Sequence, residues 1–107
     1  MLKIFVYGSF VTGRRYNQYY LGGKTLLGKA VANGYNKYVF GAVDGMTAEE
    51  GKIVAGEVYE IDEKTLAKMD FFMNEGTMVT RKTIDVELEN GETLQVDTYI
   101  WNGSVSK

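Results

Sequence analysis

The sequence RKTIDVELENGETLQVDTYIW, residues 81–101, contains two runs in which apolar and polar side chains alternate. The first alternation starts at Ile84, and the second starts at Leu94 and continues to Ile100. Alternation with a period of two is typical of strands that bury one face. The pair Asn90-Gly91 between the runs accepts the positive φ angles of a tight turn. The stretch therefore predicts a long antiparallel hairpin.

One amphipathic helix is predicted upstream of this hairpin. In residues 62–73, DEKTLAKMDFFM, the apolar side chains recur at the spacing of one helical face. Asp62 is placed to cap the helix at its N-terminus, where a negative charge also interacts favourably with the helix dipole. Residues 10–23 are interrupted by glycines, so we expect a loop there with only a short helix over residues 15–21.

Apolar runs predict the remaining strands, at residues 2–7, 24–31, 35–43 and 52–61. The pair Asn33-Gly34 is predicted to form a turn, and the polar, glycine-bounded residues 44–51 a surface loop. The N-terminal strand is expected to be central, and residues 102–107 are expected to be frayed.

Five or more strands, one main helix and no alternating βαβ rhythm predict the α+β class. The expected architecture is a small mixed β-barrel. The length of 107 residues fits a single domain spanning residues 1–107, with no room for a separate cofactor domain. No cofactor is therefore expected.

The composition excludes several classes of site. The chain has no Cys and no His, which excludes disulfides, thiolate nucleophiles, metal sites built on Cys or His, and Ser-His-Asp hydrolases in their usual form. We expect no metal, and carboxylate chemistry is the leading catalytic option. Twelve basic residues against fourteen acidic ones give a net charge of -2, so nucleic acid is not an expected partner.

The sequence also bears on location. No window approaches the roughly 18 apolar residues that a membrane span requires, and the N-terminus lacks the pattern of a signal peptide. We therefore expect a soluble cytoplasmic protein with no membrane partner. The oligomeric state stays open.

The turn Tyr7-Gly8-Ser9-Phe10, at the end of the first strand, is the first candidate site. Glycine at such a turn lets successive backbone N–H groups point into a concavity that can bind an anion or a carboxylate. The alternative is a sharp turn that needs Gly8 only for its dihedral angles. We expect a partly apolar cavity beside this turn, with unpaired N–H groups facing into it and with Tyr7 and Tyr99 lining it.

The segment after the main helix holds the second candidate. Glu75 follows the helix at a point where a loop can direct its carboxylate towards the mouth of the sheet, although most such carboxylates are only solvated. Asp70, on the helix, is expected to be structural and to hydrogen-bond a neighbouring turn. Arg81 is a candidate partner for either acid or for a substrate carboxylate, or else a solubilising charge on an edge strand.

Three segments carry a resemblance to a known family. IFVYGSF, at residues 4–10, contains a Tyr-Gly-Ser signature, VAGEVYEID follows at residues 54–62, and LAKMD at residues 66–70 precedes Arg81 at a similar spacing. In this order the segments resemble the gamma-glutamylcyclotransferase-like (AIG2-like) superfamily over nearly the whole chain. The resemblance implies a small mixed β-barrel flanked by short helices.

The resemblance also implies a reaction that needs no His, Cys or metal. In catalytic members, the α-amine of a gamma-glutamyl group attacks its own side-chain amide, closes a five-membered ring, and releases 5-oxoproline plus an amine or a peptide. The turn offers its backbone N–H groups to the substrate. Tyr7, Gly8, Ser9 and Phe10 are thus the implied substrate-binding residues, and we place Tyr99 and Arg81 with them.

The catalytic Glu of the family has no direct counterpart. The family pattern has it three residues after the Asp of the third segment, and that position is Met73. Glu75-Gly76 supplies a Glu-Gly pair two residues later. Either the loop is rearranged so that Glu75 is the base, or the chain only binds a small amino-acid-like or carboxylate ligand. An interaction domain without a pocket is a third alternative.

Overall fold

The structure, a computed structural model, describes residues 2–41 and 43–103. These residues form β1 (Leu2–Val6), a short 3-10 helix (Gly8–Phe10), α1 (Asn17–Leu21), β2 (Thr25–Phe40), β3 (Val43–Ile61), α2 (Glu63–Met73), β4 (Val79–Leu88) and β5 (Thr93–Trp101). The predicted α+β class with one main helix is confirmed. No helix in the described part of the chain combines the length and the apolar character that crossing a membrane requires.

The strands close into a barrel in the order β1-β3-β2-β4-β5. β1 pairs antiparallel with β3 and parallel with β5, whereas the other neighbouring strands pair antiparallel. The predicted mixed barrel is therefore confirmed. β1 has a strand on each side, as expected of a central strand.

β4 and β5 form the predicted C-terminal hairpin with an unbroken register. Its turn contains Asn90 and Gly91, and the Gly91 N–H donates to the Leu88 carbonyl at 2.9 Å. The predicted fraying does not start directly after β5, because the Asn102 N–H donates to the Met78 carbonyl at 2.9 Å. Residues 104–107 of the predicted frayed tail lie outside the described residues.

The hairpin of β2 and β3 differs from the prediction. Asn33-Gly34 lies within β2, where Gly34 has a φ of 86° at a shift in the register with β3. A β-bulge accepts the same positive φ as a tight turn, so the pair is compatible with both. Residues 44–51, predicted as a surface loop, belong to β3, and the chain reverses at Gly41 instead. The predicted strands at residues 24–31 and 35–43 are thus a single strand, and the predicted strand at residues 52–61 begins earlier, at Val43.

α2 begins as predicted. The Asp62 carboxylate accepts a hydrogen bond from the Thr65 N–H at 2.8 Å, which satisfies one of the unpaired donors at the helix N-terminus. Asn74 ends the helix in the left-handed conformation. α1 lies inside the segment predicted to contain a short helix.

Two apolar layers lie on opposite faces of the sheet. Side chains alternate along β1, so Phe5 and Tyr7 belong to the inner layer, and Ile4 and Val6 to the outer one. Buried residues of the inner layer are Phe5, Tyr7, Ala30, Ala32, Met46, Val54, Val58, Val86 and Val96. Buried residues of the outer layer, which joins α1 and α2 to the barrel, are Ile4, Val6, Phe10, Leu21, Tyr59, Ile61, Leu66, Met69, Met73, Val79 and Tyr99.

The seam between β1 and β5 is strengthened by two buried side chains. The Thr98 hydroxyl donates to the Phe5 carbonyl at 3.0 Å, and the Tyr7 hydroxyl donates to the Tyr99 carbonyl at 2.6 Å. Burial raises the pKa of Tyr7 above its usual value, because the phenolate would be poorly solvated there. The closure of the barrel thus fixes Tyr7, the residue that leads into the Gly8-Ser9 turn.

Trp101, at the end of β5, packs against the tip of the β2–β3 hairpin. Its ring stacks on Phe40 with centroids 3.8 Å apart and planes 5° from parallel. Gly45 lies against both residues, since a Cβ atom there would be 2.9 Å from the Phe40 ring and 3.1 Å from the Trp101 Cβ. This contact fixes the start of β3 against β5.

Candidate functional site

The anchor turn (residues 7–10) leads from β1 into the short 3-10 helix and holds a carboxylate. The Ser9 N–H donates to Oδ2 of Asp44 at 3.0 Å, and the Ser9 hydroxyl donates to the same oxygen at 3.4 Å. Gly8 has a φ of 60°, and a Cβ atom there would lie 1.6 Å from that oxygen. Glycine is therefore needed both for the backbone conformation and for the seat of the Asp44 carboxylate.

A narrow cavity of about 10 Å³ lies beside the anchor turn. It is lined by Phe5, Val6, Tyr7, Phe10, Asp44, Met69, Met73 and Tyr99. The predicted cavity thus exists, but it has room for about one water molecule. The expected unpaired N–H groups do not include that of Ser9, because β3 continues through the predicted loop and brings Asp44 to the turn.

Asp44 also borders an open cleft of about 270 Å³, which is lined by Ser9, Arg14, Arg15, Val39, Gly41 and Asp44. Arg14 and Arg15 are exposed there, and within residues 2–41 and 43–103 neither guanidinium has a carboxylate oxygen within 4.0 Å. Asp44 therefore borders both a small apolar cavity and a polar cleft that carries two positive charges.

A second carboxylate, Asp70 of α2, is held by side chains from β4 and β5. The Tyr99 hydroxyl donates to Oδ1 of Asp70 at 2.6 Å, and the Arg81 guanidinium forms a hydrogen-bonded ion pair with Oδ2. Burial, followed by the hydrogen bond to Asp70, raises the pKa of Tyr99 above its usual value. Asp70 is structural, as predicted, but its side chain binds β4 and β5 instead of a neighbouring turn, and it thereby ties α2 to the barrel.

A buried carboxylate behind the anchor turn supports the loop that follows it. Glu57 accepts hydrogen bonds from the Thr12 N–H at 2.8 Å and from the Tyr59 hydroxyl at 3.3 Å. Asn17 donates to the Phe10 carbonyl at 2.8 Å and to the Tyr59 hydroxyl at 3.0 Å. This network holds the segment after the turn against β3, so the turn is a preorganised structure.

Glu75 lies outside the cavity. Its carboxylate is exposed and accepts a hydrogen bond from the Arg81 N–H at 3.3 Å. Arg81 lies opposite Tyr99 in the β4–β5 register. Met73 is buried and lines the cavity. In the described part of the chain, no group of three acidic side chains is arranged to hold a metal ion.

Comparison with known proteins decides the family. The sequence profile described as "Gamma-glutamyl cyclotransferase, AIG2-like" matches residues 4–107. The chain belongs to this family. A Methanocaldococcus jannaschii protein named as a candidate gamma-glutamylcyclotransferase is 32% identical over 104 residues, which are 94% of this chain and 85% of the relative.

Two further matches agree with this family. The gamma-glutamylcyclotransferase family protein YtfP of Citrobacter rodentium is 36% identical over 83 residues, covering 78% of this chain and 71% of the relative. The crystal structure of an AIG2-like protein from Mus musculus has a TM-score of 0.86 at 24% identity, over 98% of this chain and 80% of that one. This last match shows a shared fold.

Within this gamma-glutamyl cyclotransferase fold, the predicted site residues do not all come together. Residues 7–10 and Tyr99 meet at the cavity or its rim, Arg81 is connected to it through Asp70, and Glu75 stands apart. The residue that sequence reasoning missed is Asp44. It lies 35 positions from Ser9, and no local pattern marks a contact that depends on strand register.

Proposed function

We propose that the chain is a gamma-glutamyl cyclotransferase that releases 5-oxoproline from a small gamma-glutamyl amine or peptide. The observation that carries the proposal is the carboxylate seated on the Ser9 N–H and hydroxyl. A gamma-glutamyl group has a carboxylate next to the amine that must attack. Membership of the gamma-glutamyl cyclotransferase family supports the reaction class.

The reaction joins two ends of one molecule. After the substrate ammonium loses a proton, its nitrogen attacks the carbonyl carbon of the side-chain amide and forms the ring bond. The bond from that carbon to the leaving nitrogen then breaks, and the leaving nitrogen takes up a proton. A single carboxylate can carry the proton between the two nitrogens. The anchor turn would contribute mainly by holding the substrate folded, because proximity favours intramolecular attack.

Glu75 is the proposed proton carrier. Asp70 is already bound by Tyr99 and Arg81, which leaves Glu75 as the exposed acid in the loop after α2. Phe10 and Tyr99 would contact the apolar part of the substrate. Arg81, paired with Asp70, would contribute positive charge near the substrate carboxylate.

A second candidate function is a non-catalytic module that binds a small amino acid or carboxylate. Met73 favours it, because an apolar side chain lines the cavity at the position where the family pattern has its Glu. Both functions use the same turn. They differ only in whether a proton carrier reaches the ligand.

A turnover assay separates the two candidates. The purified chain would be incubated with a panel of gamma-glutamyl dipeptides and gamma-glutamylamines, with 5-oxoproline measured by mass spectrometry. The cyclotransferase proposal predicts release by the wild type and a fall of about 10² to 10⁴ in rate for Glu75→Gln, the usual contribution of general acid–base catalysis. Glu50→Gln, which neutralises an exposed carboxylate on β3, is the matched control and should keep the wild-type rate.

The outcomes are distinct. Release that persists unchanged in Glu75→Gln would show that Glu75 is not the base. No release from the wild type with any member of the panel, together with saturable binding of a gamma-glutamyl compound, would favour the binding module.

A further inference from the structure

We infer that Asp44 is the specificity-determining residue of the anchor turn. Its carboxylate takes the place of a ligand carboxylate, so a ligand enters only when the Asp44 side chain turns away towards Arg14 and Arg15. The inference rests on the proposed function only in assigning the ligand to this turn, and it does not require turnover.

The first step is that the turn has one place for a carboxylate oxygen. Both donors of Ser9 converge on the same oxygen of Asp44, and that oxygen fills the space that a Cβ atom would take on Gly8. A ligand carboxylate on the same donors would be in contact with Asp44 and would repel it. Occupation by Asp44 and occupation by a ligand are therefore mutually exclusive.

The second step is that Asp44 can leave without breaking the fold. Its side chain is only half-buried, and its donors on Ser9 are uncharged. The backbone of Asp44 pairs with Val39 one step from the hairpin tip, and a side-chain rotation leaves that pairing intact. Arg14 and Arg15 line the same cleft as Asp44 and give the displaced carboxylate a charged partner.

The third step is what the displacement opens. Asp44 lines both the narrow cavity and the cleft, so a carboxylate that turns away from Ser9 would leave space that connects the two. The joined space would have the Ser9 donors at its centre and aromatic walls from Tyr7, Phe10 and Tyr99. That arrangement suits a small ligand with a carboxylate next to a short chain, as a gamma-glutamyl group has.

The size of the effect follows from competition. When the binding-competent conformation is only partly populated, the apparent affinity falls by that fraction. Removing a half-buried competitor that is held only by the two donors of Ser9 should tighten carboxylate binding by up to about 5-fold.

The test is a binding titration of the full chain labelled with nitrogen-15. The probes are 5-oxoproline and propionate, and the amide signal of Ser9 is followed in the wild type, Asp44→Ala and Asp44→Asn. We expect the tightest binding in Asp44→Ala, an intermediate value in Asp44→Asn, which keeps a neutral acceptor, and the weakest in the wild type. Asp85→Ala removes the same charge from an exposed position on β4 and should bind like the wild type.

A second set of variants tests the displaced position. The double change Arg14→Ala with Arg15→Ala should weaken binding in the wild-type background and have no effect in the Asp44→Ala background. Equal weakening in both backgrounds would mean that the arginines bind the ligand directly, which overturns their role as partners of Asp44.

The result that overturns the inference is an Asp44→Ala variant, folded by its dispersed amide spectrum, that binds both probes no more tightly than the wild type. Absence of a Ser9 shift in every variant overturns it as well. Tighter binding by Asp44→Ala without 5-oxoproline release from any variant would support the inference and contradict the cyclotransferase proposal. If the wild type releases 5-oxoproline but Asp44→Ala binds the probes with the wild-type affinity, the cyclotransferase proposal is supported and the inference about Asp44 is contradicted.

Discussion

Asp44 lines the small cavity and Asp70 binds Tyr99, which also lines it, and the two carboxylates are held in different ways. Asp70 accepts from the Tyr99 hydroxyl and is neutralised by the Arg81 guanidinium, so three elements of the fold depend on it. Asp44 accepts only uncharged donors of Ser9 and has no cation within 4.0 Å among the residues described. The comparison separates a carboxylate that fixes the wall of the site from one that can exchange with a ligand.

The largest expected difference is in stability. Asp70→Ala leaves the Arg81 charge and the Tyr99 hydroxyl without their acceptor, and it should lower the free energy of unfolding by about 2 to 4 kcal/mol. Asp44→Ala removes a half-buried contact whose donors can turn to water, and it should cost less than about 1 kcal/mol. Urea unfolding of both variants checks this, and equal losses would remove the distinction between the two carboxylates.

The next effect is a loss of folding stability at alkaline pH, caused by the buried Tyr7 and by Tyr99, the partner of Asp70. The pKa values of Tyr7 and Tyr99 are raised in the folded state, chiefly by burial, so both tyrosines stabilise the fold fully below the unfolded pKa near 10. Above that pH, each should remove about 1.4 kcal/mol of unfolding free energy per pH unit. Unfolding measured at several pH values above 10 should therefore show a steep decline.

Two phenylalanine variants assign this decline. Tyr99→Phe should be less stable at neutral pH, because Asp70 loses a donor, but its stability should fall less steeply with alkaline pH. Tyr19→Phe alters a side chain that is 80% exposed and should leave the slope unchanged. A wild-type slope in Tyr99→Phe would mean that Tyr99 does not contribute to it.

The smallest expected effect is a coupling between Gly8 and Asp44. Gly8→Ala forces a side chain into the left-handed region and against the Asp44 carboxylate, and the conformational part alone costs about 1 to 2 kcal/mol. In the Asp44→Ala background the contact with the carboxylate is gone, so Gly8→Ala should cost about 1 kcal/mol less there. A double-mutant cycle measured by unfolding gives this coupling, and a value of zero would mean that Asp44 does not sit against Gly8 in solution.

The sequence predicted those features of the fold that depend on residues close together in the chain. The β4–β5 hairpin and α2 followed from alternation, from Asn90-Gly91 and from the Asp62 cap, all of which act within a few residues. Gly34 has a positive φ that fits a bulge and a turn equally, and only the pairing of β2 with β3 decides between them. The pattern therefore could not give the true length of these strands.

The same limit applies to the site. Residues 7–10 were predicted as site residues because a strand that ends in Gly-Ser has a recognisable local form. Tyr7 and Tyr99 were predicted to line the cavity because they lie in predicted central strands. The hydrogen bond from Tyr7 to the Tyr99 carbonyl and the contact of Asp44 with Ser9 depend on barrel closure and on register. No spacing in the sequence encodes them, so the state of the anchor turn became clear only from the fold.

The stack of Trp101 on Phe40 gives the protein an optical probe of its own. Trp101 is the single tryptophan of the chain. Its ring stacks on Phe40, and the Phe40 ring lies against Gly45, the residue directly after Asp44. Indole emission responds to the polarity and rigidity of its surroundings, so a rearrangement at the start of β3 changes the fluorescence of the unlabelled protein. Entry of a ligand at the anchor turn is thus expected to register as a change in emission from a residue that never touches it.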